Sequence, residues 1–334
     1  MSNSILLSIC IPTYNRSAEL DICLQQFCKQ VEPFKDIIEI IVSDNCSPDN
    51  TKDIVEKYLK SDLLISYYRQ SENIGGDRNF EWCFSNATGK YCWLFGDDDL
   101  LLDNKLETII AILQNREPVI LYVKGYGFKD DYQKEVPVKK QIIKKADYRE
   151  FTSKKKYIRN VHYNVTFASG NIINKKLLPA NIDSTKFITT NLNYVYLILA
   201  LLNKGEKFAS INEYVMACKT NNTGGYKLFE TFSTNFNRIL TYMNEKEGMP
   251  KYISRIINFN LLLTFFPQFV LSARINSNKK FIEEDTRDIL NKTYKKNIWF
   301  WIFVIPILSM PVQLSKAYQK HILNNINRVK NVFV

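Results

Sequence analysis

The sequence predicts an α/β fold in which a mostly parallel sheet is flanked by helices and followed by a helical C-terminal region. Short apolar segments of strand length alternate with helical patterns through about the first hundred residues, which is typical of a parallel sheet. Polar loops follow the ends of these strands, carboxylates come directly after the second and fourth strands, and strand signals stop after residue 225. We therefore divide the chain into a domain of residues 1–225 and a helical region of residues 226–334.

The first strand is predicted at residues 5–11, an apolar run of the kind found in fully buried strands. The polar loop of residues 12–16 follows it. A helix with Leu20, Leu24 and Phe27 on one face then begins. In a doubly wound sheet the loop after the first strand begins the binding crevice.

The second and third strands are predicted at residues 37–42 and 63–68. Asp44 follows the second strand, so it brings a carboxylate to the same edge of the sheet as the first loop. After the third strand, the pair Gly75-Gly76 allows close approach of the backbone to a ligand. Arg78 would then enter the first turn of the next helix as a fixed positive charge.

The fourth strand runs directly into the three adjacent carboxylates of residues 97–99. Three ionised carboxylates side by side repel one another and have raised pKa values unless a positive group lies among them. A hard divalent cation such as Mg²⁺ or Mn²⁺ meets this need, and such cations usually bind together with phosphates. This favours a metal-diphosphate site. The alternative is a solvated loop in which Asp99 or Asp103 caps a helix at residues 104–114.

The later part of the first domain contains further elements. Strands are predicted at residues 118–128, 166–173 and 208–217, and an apolar helix is predicted at residues 192–202. The lysine-rich segment 129–159 is interpreted as a solvated connection, with a mobile flap or an anion-contacting surface as the alternative.

Composition limits the possible classes of protein. The 334 residues are 46% hydrophobic and 24% charged, which excludes wholesale disorder. The formal net charge of +11 indicates an acidic partner, which could be a nucleotide, a nucleic acid or an anionic membrane surface. Seven cysteines without a CxxC pair favour reduced thiols in a cytoplasmic protein, and His162 and His321 do not fall at zinc-ligand spacing. The N-terminus lacks the pattern of a signal peptide.

Residues 298–312 form a possible membrane-associating segment. Trp299 and Trp301 lie in this apolar stretch, and lysines flank it on both sides, as is typical of a segment at a membrane interface. Pro306 interrupts it, and no apolar run in the chain reaches the roughly 18 residues of a membrane span. The alternative is a helix buried against the first domain.

Four ordered motifs carry a resemblance to a known family: residues 9–16 (ICIPTYNR), 42–47 (VSDNCS), 73–79 (NIGGDRN) and 96–99 (GDDD). Together they resemble bacterial glycosyltransferases of family 2, which have the GT-A fold. The resemblance covers roughly the first 220 residues and is densest in the first 105. The variant Gly-Asp-Asp-Asp, with Thr-Gly-Gly after the last strand, is most similar to abequosyltransferase-like enzymes of surface polysaccharide assembly.

The resemblance implies roles for individual residues. Asp44 would face the base or ribose of a nucleotide, and Arg78 would lie near the base or the diphosphate. Gly96 occupies the place where the family usually has its first acid. In that register Asp98 is a metal ligand, Asp97 contacts the ribose, and Asp99 supports the metal. Donor binding is thereby assigned to Pro12, Thr13, Tyr14, Asn15, Arg16, Asp44, Asn73, Gly75, Arg78, Asp97 and Asp98, and the metal to Asp98 and Asp99.

The general base is not settled by the resemblance. In this family it is usually an acid of a Glu-Asp pair that opens the helix before the last strand. The corresponding residues here, 191–194, contain no carboxylate. Asp183 is the candidate base. The alternatives are an acid from elsewhere in the chain, or a chain that is a poor catalyst.

The resemblance thus predicts a metal-dependent inverting glycosyltransferase that uses a nucleotide-sugar donor and a lipid-linked saccharide or glycan acceptor. We expect it in the cytoplasm, peripheral on the inner face of the bacterial cytoplasmic membrane. One alternative is a transferase-like module that binds without turnover. Another is a haloacid-dehalogenase-like phosphatase, although Leu101 stands where that class has threonine or valine. Nucleic-acid binding lacks a recognisable motif.

Overall fold

The computed structural model describes residues 4–137, 148–220, 225–275 and 284–325. The chain divides into two compact units, which we describe separately. The first comprises Met1–Tyr157, Val165–Thr189 and Asn193–Asn221, and the second comprises Ile158–Asn164, Thr190–Leu192 and Asn222–Val334.

The described part of the first unit contains one mixed sheet of nine strands. Their bounds are β1 Leu7–Thr13, β2 Ile38–Asp44, β3 Ile65–Arg69, β4 Tyr91–Leu94, β5 Asp99–Leu101, β6 Ile120–Phe128, β7 Tyr148–Phe151, β8 Asn171–Asn174 and β9 Phe208–Lys219. The order across the sheet is β3-β2-β1-β4-β8-β6-β9-β5, and β7 also pairs with β9. Strands β1, β2, β3, β4, β6 and β9 run in one direction, whereas β5, β7 and β8 run against them. The predicted α/β class with a mostly parallel sheet is confirmed.

Helices alternate with these strands. Their bounds are α1 Ser17–Val31, α2 Thr51–Tyr58, α3 Gly76–Asn86, α4 Lys105–Arg116, α5 Lys154–Val161, which continues into the second unit, and α6 Asn193–Lys204. The helix predicted at residues 192–202 is α6. Gly75 precedes α3 with φ +85°, a left-handed conformation that glycine adopts at little cost.

The core of the first unit packs α1 against the sheet. Leu20, Leu24 and Phe27 are fully buried, as the helical pattern predicts. Phe27 meets Trp93 and Phe95 edge-to-face, with ring centroids 5.8 Å and 4.8 Å apart. Such pairs add about 0.5–1.5 kcal/mol each to the free energy of burial. This cluster fixes α1 over β4, immediately before the acidic residues.

Strand register brings the predicted polar loops to one edge of the sheet. Thr13 at the end of β1 is paired with Asp44 at the end of β2. On the other side of β1, Cys10 is paired with Leu94 of β4. The carboxyl ends of these three parallel strands therefore meet at the edge where open α/β sheets bind ligands.

Antiparallel strands complete the sheet beyond β4. Strand β8 lies between β4 and β6, and the three-residue β5 pairs with the far end of β9. The sequence analysis missed β5, because three residues are too few to show an alternating pattern. Asp99 belongs to β5 and is paired with Cys218, so the last acid of the trio is held in a ladder.

The lysine-rich segment of residues 129–159 is only partly a solvated connection. Residues 148–151 form β7, which pairs with β9, and Tyr157 of α5 is fully buried. The prediction of a wholly solvated connection is wrong for these residues. Lys139, Lys140, Lys144 and Lys145 lie outside the described residues.

The second unit is helical in its described part, as the sequence predicts. Its helices are α7 Phe236–Glu245, α8 Lys251–Asn260, α9 Phe266–Ile275, α10 Thr286–Tyr294, α11 Ile305–Ser309 and α12 Val312–Asn324. Three π-helical turns, Glu230–Asn235, Leu261–Phe265 and Phe300–Val304, directly precede α7, α9 and α11.

Among the described residues, one helix is long and apolar enough to cross a bilayer. Helices α8 and α9 join through a π-helical turn into Lys251–Ile275, a helix of 25 residues that contains an 18-residue apolar window with a mean hydropathy of 1.5. Residues 258–273 were predicted as an apolar helical part, but the prediction that no apolar run reaches the length of a membrane span is wrong, because the 18-residue window tolerates polar residues such as Asn260 and Thr264. In the structure 61% of the apolar window is buried inside the protein.

Candidate active site

The predicted acidic residues lie between the end of β4 and the start of β5. Asp97 and Asp99 are buried, with 3% and 5% of their surface exposed. The side chain of Asp98 is 17% exposed, so it is the most accessible carboxylate of the three. The solvated-loop alternative is therefore wrong for this trio.

Residues of the first loop contact these acids directly. Thr13 Oγ1 donates a hydrogen bond of 2.7 Å to Asp97 Oδ2. Arg16 Nη1 lies 2.9 Å from Asp97 Oδ1 and 3.1 Å from Asp98 Oδ2. The structure thus joins the loops that follow β1 and β4, as the sequence analysis predicts from their shared edge.

Ionisation of the three carboxylates remains unfavourable even though Arg16 lies beside them. Burial raises the pKa of Asp97 to about 6, although Arg16 acts in the opposite direction. Burial and the neighbouring Asp98 raise the pKa of Asp99 to about 8. Burial also raises the pKa of Asp98, against the lowering effect of Arg16. One guanidinium therefore does not compensate for three buried carboxylates.

Ser169 fixes the acidic loop from the opposite side. Its hydroxyl accepts a hydrogen bond of 2.9 Å from the backbone N–H of Gly96 and donates one of 2.5 Å to Asp99 Oδ2. Its carbonyl accepts a 2.7 Å hydrogen bond from Trp93 Nε1. The Cys218 thiol also hydrogen-bonds Asp99. Asp99 is thus held by two side chains that the sequence analysis did not assign to the site.

Because Gly96 has no side chain, it leaves room for the carboxylates of Asp98 and Asp99. A Cβ atom at this position would lie 3.0 Å from Asp98 Oδ1 and 3.2 Å from Asp99 Oδ2. Asp98 and Asp99 therefore each direct a carboxylate oxygen to the same small region beside the Gly96 backbone. A side chain at this position would require those carboxylates to shift by a few tenths of an ångström.

Asp44 is engaged by the protein itself. It is fully buried, and its Oδ1 accepts a hydrogen bond of 2.8 Å from the backbone N–H of Ser47. Its Oδ2 accepts one of 2.7 Å from the Tyr67 hydroxyl and lies 3.7 Å from Arg69 Nε. In this structure Asp44 fixes the loop after β2, and its predicted contact with a base or ribose stays a prediction.

The loop before α3 is connected to the same region. Asn45 Nδ2 donates to Asn73 Oδ1 over 2.8 Å, and Asn45 Oδ1 accepts from the backbone N–H of Ile74 over 2.8 Å. Asn73 Oδ1 also accepts a 3.0 Å hydrogen bond from the Gly75 N–H. Arg78 is exposed in the first turn of α3, where the sequence analysis places it.

The remaining predicted donor-binding residues differ in exposure. Pro12 is buried at the end of β1, whereas Tyr14 and Asn15 are exposed. Asn15 adopts φ +54°, and its N–H donates a 2.9 Å hydrogen bond to Ser47 Oγ. The loops after β1 and β2 are therefore joined to each other as well as to the acids.

Asp183, the predicted base, lies in an exposed turn. Its Oδ1 accepts hydrogen bonds from the backbone N–H and the hydroxyl of Thr185, over 2.9 Å and 2.6 Å. These hydrogen bonds hold the pKa of Asp183 below its usual value, which weakens it as a base. The structure does not show Asp183 in contact with the acidic trio, and its catalytic role stays a prediction.

Asp77 is a buried acid beside the start of α6. Its backbone carbonyl accepts a hydrogen bond of 3.0 Å from Asn193 Nδ2, and 8% of its surface is exposed. The start of α6 is the place where the resemblance expects an acidic pair. The sequence analysis assigned Asp77 no role, because it is 116 positions from Asn193 along the chain.

The chemistry of the acidic trio fits a divalent cation. Arg16 supplies one positive charge, and the pKa values of all three acids remain raised. Within the described ranges, no three or more His, Cys, Asp or Glu side chains form a ready metal site. The raised pKa values and the oxygen donors of Asp98 and Asp99 fit a divalent cation that is held by one or two carboxylates and completed by phosphate oxygens.

Comparisons with solved structures show the fold. Staphylococcus aureus TarS 1–349 in complex with UDP-GlcNAc aligns with a TM-score of 0.58 at 15% identity, covering 97% of this chain and 92% of TarS 1–349. The mannosyltransferase PcManGT of Pyrobaculum calidifontis, in complex with GDP-Man and Mn²⁺, aligns with a TM-score of 0.52 at 13% identity, covering 98% and 87%. The fold is that of GT-A glycosyltransferases, which confirms the predicted class.

The family follows from the sequence match. Residues 8–174 match the model of glycosyl transferase family 2, and the chain belongs to this family. It is 40% identical over 118 residues to the abequosyltransferase RfbV of Salmonella typhimurium, covering 35% of each chain. It is 36% identical over 105 residues to the GalNAc(5)-diNAcBac-PP-undecaprenol beta-1,3-glucosyltransferase of Campylobacter jejuni, covering 31% of this chain and 33% of that enzyme. These matches span about a third of each relative's length.

Substitution of Ser169 by alanine tests the support of the acidic loop. Ser169→Ala removes the hydrogen-bond acceptor of the Gly96 N–H and leaves Asp99 with the Cys218 thiol alone, so we expect a loss of about 1–3 kcal/mol in the free energy of unfolding. Urea denaturation measures this loss. Ser184 is the matched control, because its hydroxyl donates to Glu81 in a part-buried setting. Ser184→Ala should change the free energy by less than about 0.5 kcal/mol. Equal effects of both variants would contradict the role of Ser169.

Proposed function

We propose that this chain is a metal-dependent inverting glycosyltransferase. It transfers one sugar from a nucleotide-sugar donor to a hydroxyl of a lipid-linked saccharide or glycan, in the synthesis of a bacterial surface polysaccharide. The observation that supports this most is the buried acidic trio, which lies at the carboxyl edge of the sheet and keeps raised pKa values although Arg16 pairs with Asp97 and Asp98.

The chain's own residues would bind the nucleotide at this edge. The loop of residues 12–16 follows β1, and the exposed Asn73, Gly75 and Arg78 follow β3. Backbone at Gly75 is open, since a Cβ there would have no neighbour within 4 Å. The acids would lie beside the diphosphate, with Asp98 as the most accessible ligand and Asp97 toward the ribose.

A divalent cation bound by Asp98 and Asp99 would stabilise the charge that develops on the leaving nucleoside diphosphate. In the transfer itself, the acceptor oxygen forms a bond to the anomeric carbon while the bond from that carbon to the diphosphate oxygen breaks. The proton of the acceptor hydroxyl passes to a carboxylate of the protein, and the nucleoside diphosphate leaves with the bonding electron pair.

Two carboxylates are candidates for the base. Asp183 is the residue that the sequence suggests, but its hydrogen bonds with Thr185 hold it in an exposed turn. Asp77 is buried next to the start of α6. A rearranged loop would have to bring Asp183 to the acceptor, whereas Asp77 already lies on an element that carries donor-binding residues.

The relatives support the proposed donor and acceptor classes. TarS is solved with UDP and with UDP-GlcNAc, and PcManGT is solved with GDP-Man and Mn²⁺. The Salmonella relative is an abequosyltransferase, and the Campylobacter relative acts on a saccharide linked to undecaprenol diphosphate. A nucleotide-sugar and a lipid-linked saccharide are therefore the substrates to test first.

A second candidate is a module that binds a nucleotide-sugar without turnover. The observation that favours it is the start of α6, where residues 191–194 carry no carboxylate. This candidate shares the donor site but lacks a competent base. Turnover of the donor decides between the two.

The first prediction of the proposal concerns donor turnover. With a panel of nucleotide-sugars and Mn²⁺, we expect hydrolysis or transfer with one donor and its loss on addition of EDTA. Asp98→Asn should lower kcat by about a hundredfold or more, a usual cost of removing an electrostatic stabiliser of the transition state. Asp103→Asn is the matched control, because Asp103 is an exposed acid of the same loop region. Donor binding without turnover, measured calorimetrically, would favour the binding module.

The second prediction concerns pH and metal. Asp97 and Asp99, with pKa values of about 6 and about 8, bind protons more tightly in the folded protein than in the unfolded chain. Without metal, stability should therefore fall as the pH rises from about 4 to about 8. Mn²⁺ displaces these protons, so its stabilisation should grow over the upper part of this range.

Thermal unfolding with and without Mn²⁺ between pH 5.5 and pH 8.5 measures this effect. At a hundredfold excess of Mn²⁺ over its dissociation constant, the stabilisation should be about 2.7 kcal/mol. Asp98→Asn should remove most of it, whereas Asp103→Asn should retain it. A stabilisation that does not depend on pH would contradict binding at the trio.

The third prediction separates the two candidate bases. Removal of the true base should lower kcat by about 10²–10⁴-fold while donor binding is retained. We expect this result for Asp77→Asn, with loss of the acidic limb of the pH–rate profile, and a change of less than about threefold for Asp183→Asn. Circular dichroism of both variants controls for folding, since Asp77 is buried. The opposite pattern would assign the base to Asp183.

A further inference from the structure

The second unit carries an exposed apolar patch, which we define as Ile298, Trp301, Ile302 and Leu314. Their exposed fractions are 62%, 50%, 39% and 58%. Exposed tryptophan and isoleucine at adjacent positions are uncommon on a soluble surface, where large apolar side chains are usually scattered singly.

Hydrogen bonds connect the parts of this patch. Ile298, Trp301 and Ile302 are spaced by three and four residues, which places them on one face of the helical segment. Trp301 Nε1 donates a 2.9 Å hydrogen bond to the carbonyl of Lys295. The Tyr318 hydroxyl donates a 2.7 Å hydrogen bond to the carbonyl of Ile302, so α12, which carries Leu314, lies beside this face.

The side chains of the patch are exposed although the same segment also has a buried, packed face. Phe300, Phe303 and Val304 of the same π-helical turn are buried, and so is Ile307 of α11. Phe303 stacks on Trp299 and meets Phe259 edge-to-face. The segment therefore has a well-packed inner face and a separate apolar outer face.

The charge around the patch is positive. Residues 289–334 contain seven basic residues and no aspartate or glutamate. The basic residues are Lys292, Lys295, Lys296, Lys316, Lys320, Arg328 and Lys330. Lys295, Lys296, Lys316 and Lys320 are exposed. The acids that precede this stretch on α10 are Asp285, which caps the helix, and Asp288, which pairs with Lys292 at 2.6 Å.

A polar cleft borders the patch at Ile298. It has a volume of about 430 Å³ and is lined by Lys296, Asn297, Thr293, Tyr294, Asn237 and Asn258. Asn237 Nδ2 donates to the Tyr294 hydroxyl over 2.8 Å, which in turn donates to Asn258 Oδ1 over 2.8 Å. Hydrogen-bond donors and the Lys296 ammonium group thus lie next to the apolar residue Ile298, and a lipid headgroup has acceptors for both.

We propose that this face of the second unit docks on the surface of an anionic lipid bilayer. Ile298, Ile302 and Leu314 enter the boundary between headgroups and acyl chains, and Trp301 takes the interfacial position that tryptophan prefers. The lysines around them contact anionic headgroups. This face docks on the bilayer, and the chain does not cross it, because most of the apolar window in Lys251–Ile275 is buried inside the protein.

A second copy of the chain is a less suitable occupant of the patch. A twofold symmetric dimer through this face would oppose the same lysines of both copies, without acids between residues 289 and 334 to pair with them. An anionic bilayer instead provides the complementary charge. The proposal does not depend on the proposed function, since vesicle binding requires neither donor nor turnover.

Co-sedimentation of the full chain with vesicles tests the proposal. Vesicles of phosphatidylcholine with phosphatidylglycerol should bind the protein, and pure phosphatidylcholine vesicles should bind it much less. The double variant Ile298→Ser, Trp301→Ser should lower binding to the anionic vesicles by about tenfold or more. Leu177→Ser is the matched control for an exposed apolar residue, because Leu177 is 52% exposed in the first unit. It should leave vesicle binding unchanged.

A charge-reversal pair tests the electrostatic part. Lys295→Glu with Lys296→Glu should lower binding by about tenfold, and added salt should weaken wild-type binding. The matched control is Lys155→Glu with Lys156→Glu, an exposed lysine pair in the first unit. Equal loss in both pairs would mean that net charge alone governs binding and would overturn the assignment.

Two further results would also overturn the proposal. One is equal binding of wild type and the Ile298, Trp301 double variant to anionic vesicles. The other is a wild-type dimer in sedimentation velocity that this double variant converts to a monomer, together with no binding to vesicles. That result would assign the patch to self-association.

Discussion

The contact between the Arg16 guanidinium and the carboxylates of Asp97 and Asp98 is the interaction on which the candidate site depends. It joins the loop after β1 to the loop after β4, and Arg16 immediately precedes α1. The positive charge of Arg16 lowers the free-energy cost of burying the three acids, but it does not balance their negative charge. The proposed divalent cation would supply the missing positive charge, so the stability and the proposed chemistry of this edge would have the same electrostatic origin.

The loops around the acids are held by side chains rather than by regular structure. Asp44 holds Ser47 and Tyr67, and Ser169 holds the Gly96 backbone and Asp99. These hydrogen bonds fix the positions of the loops before a donor arrives. A ligand binds more tightly when the groups that contact it are already ordered, because less binding free energy is lost in ordering them.

Buried parallel strands and adjacent acids were predictable from the sequence, because both produce local patterns. The hydrogen bond between Ser169 and Asp99 was not predictable, because Ser169 lies 70 positions away in a segment whose pattern indicates only a strand. Asp44 was correctly placed at the edge by its strand, but nothing local shows that Tyr67 engages its carboxylate. Strand β5 was too short for a periodic signal. Long-range hydrogen bonds and very short elements therefore account for most of what sequence reasoning missed.

The backbone at Gly96 limits how this site changes over evolutionary time. An acid restored at that position would place its Cβ 3.0 Å from Asp98 Oδ1 and add a fourth negative group to a cluster that already resists ionisation. A single mutation back to the common family pattern would therefore require a small shift of the neighbouring carboxylates and would carry an electrostatic cost. Lineages with this glycine are expected to diversify through the residues that surround the loop, while the loop itself keeps its reduced set of acids.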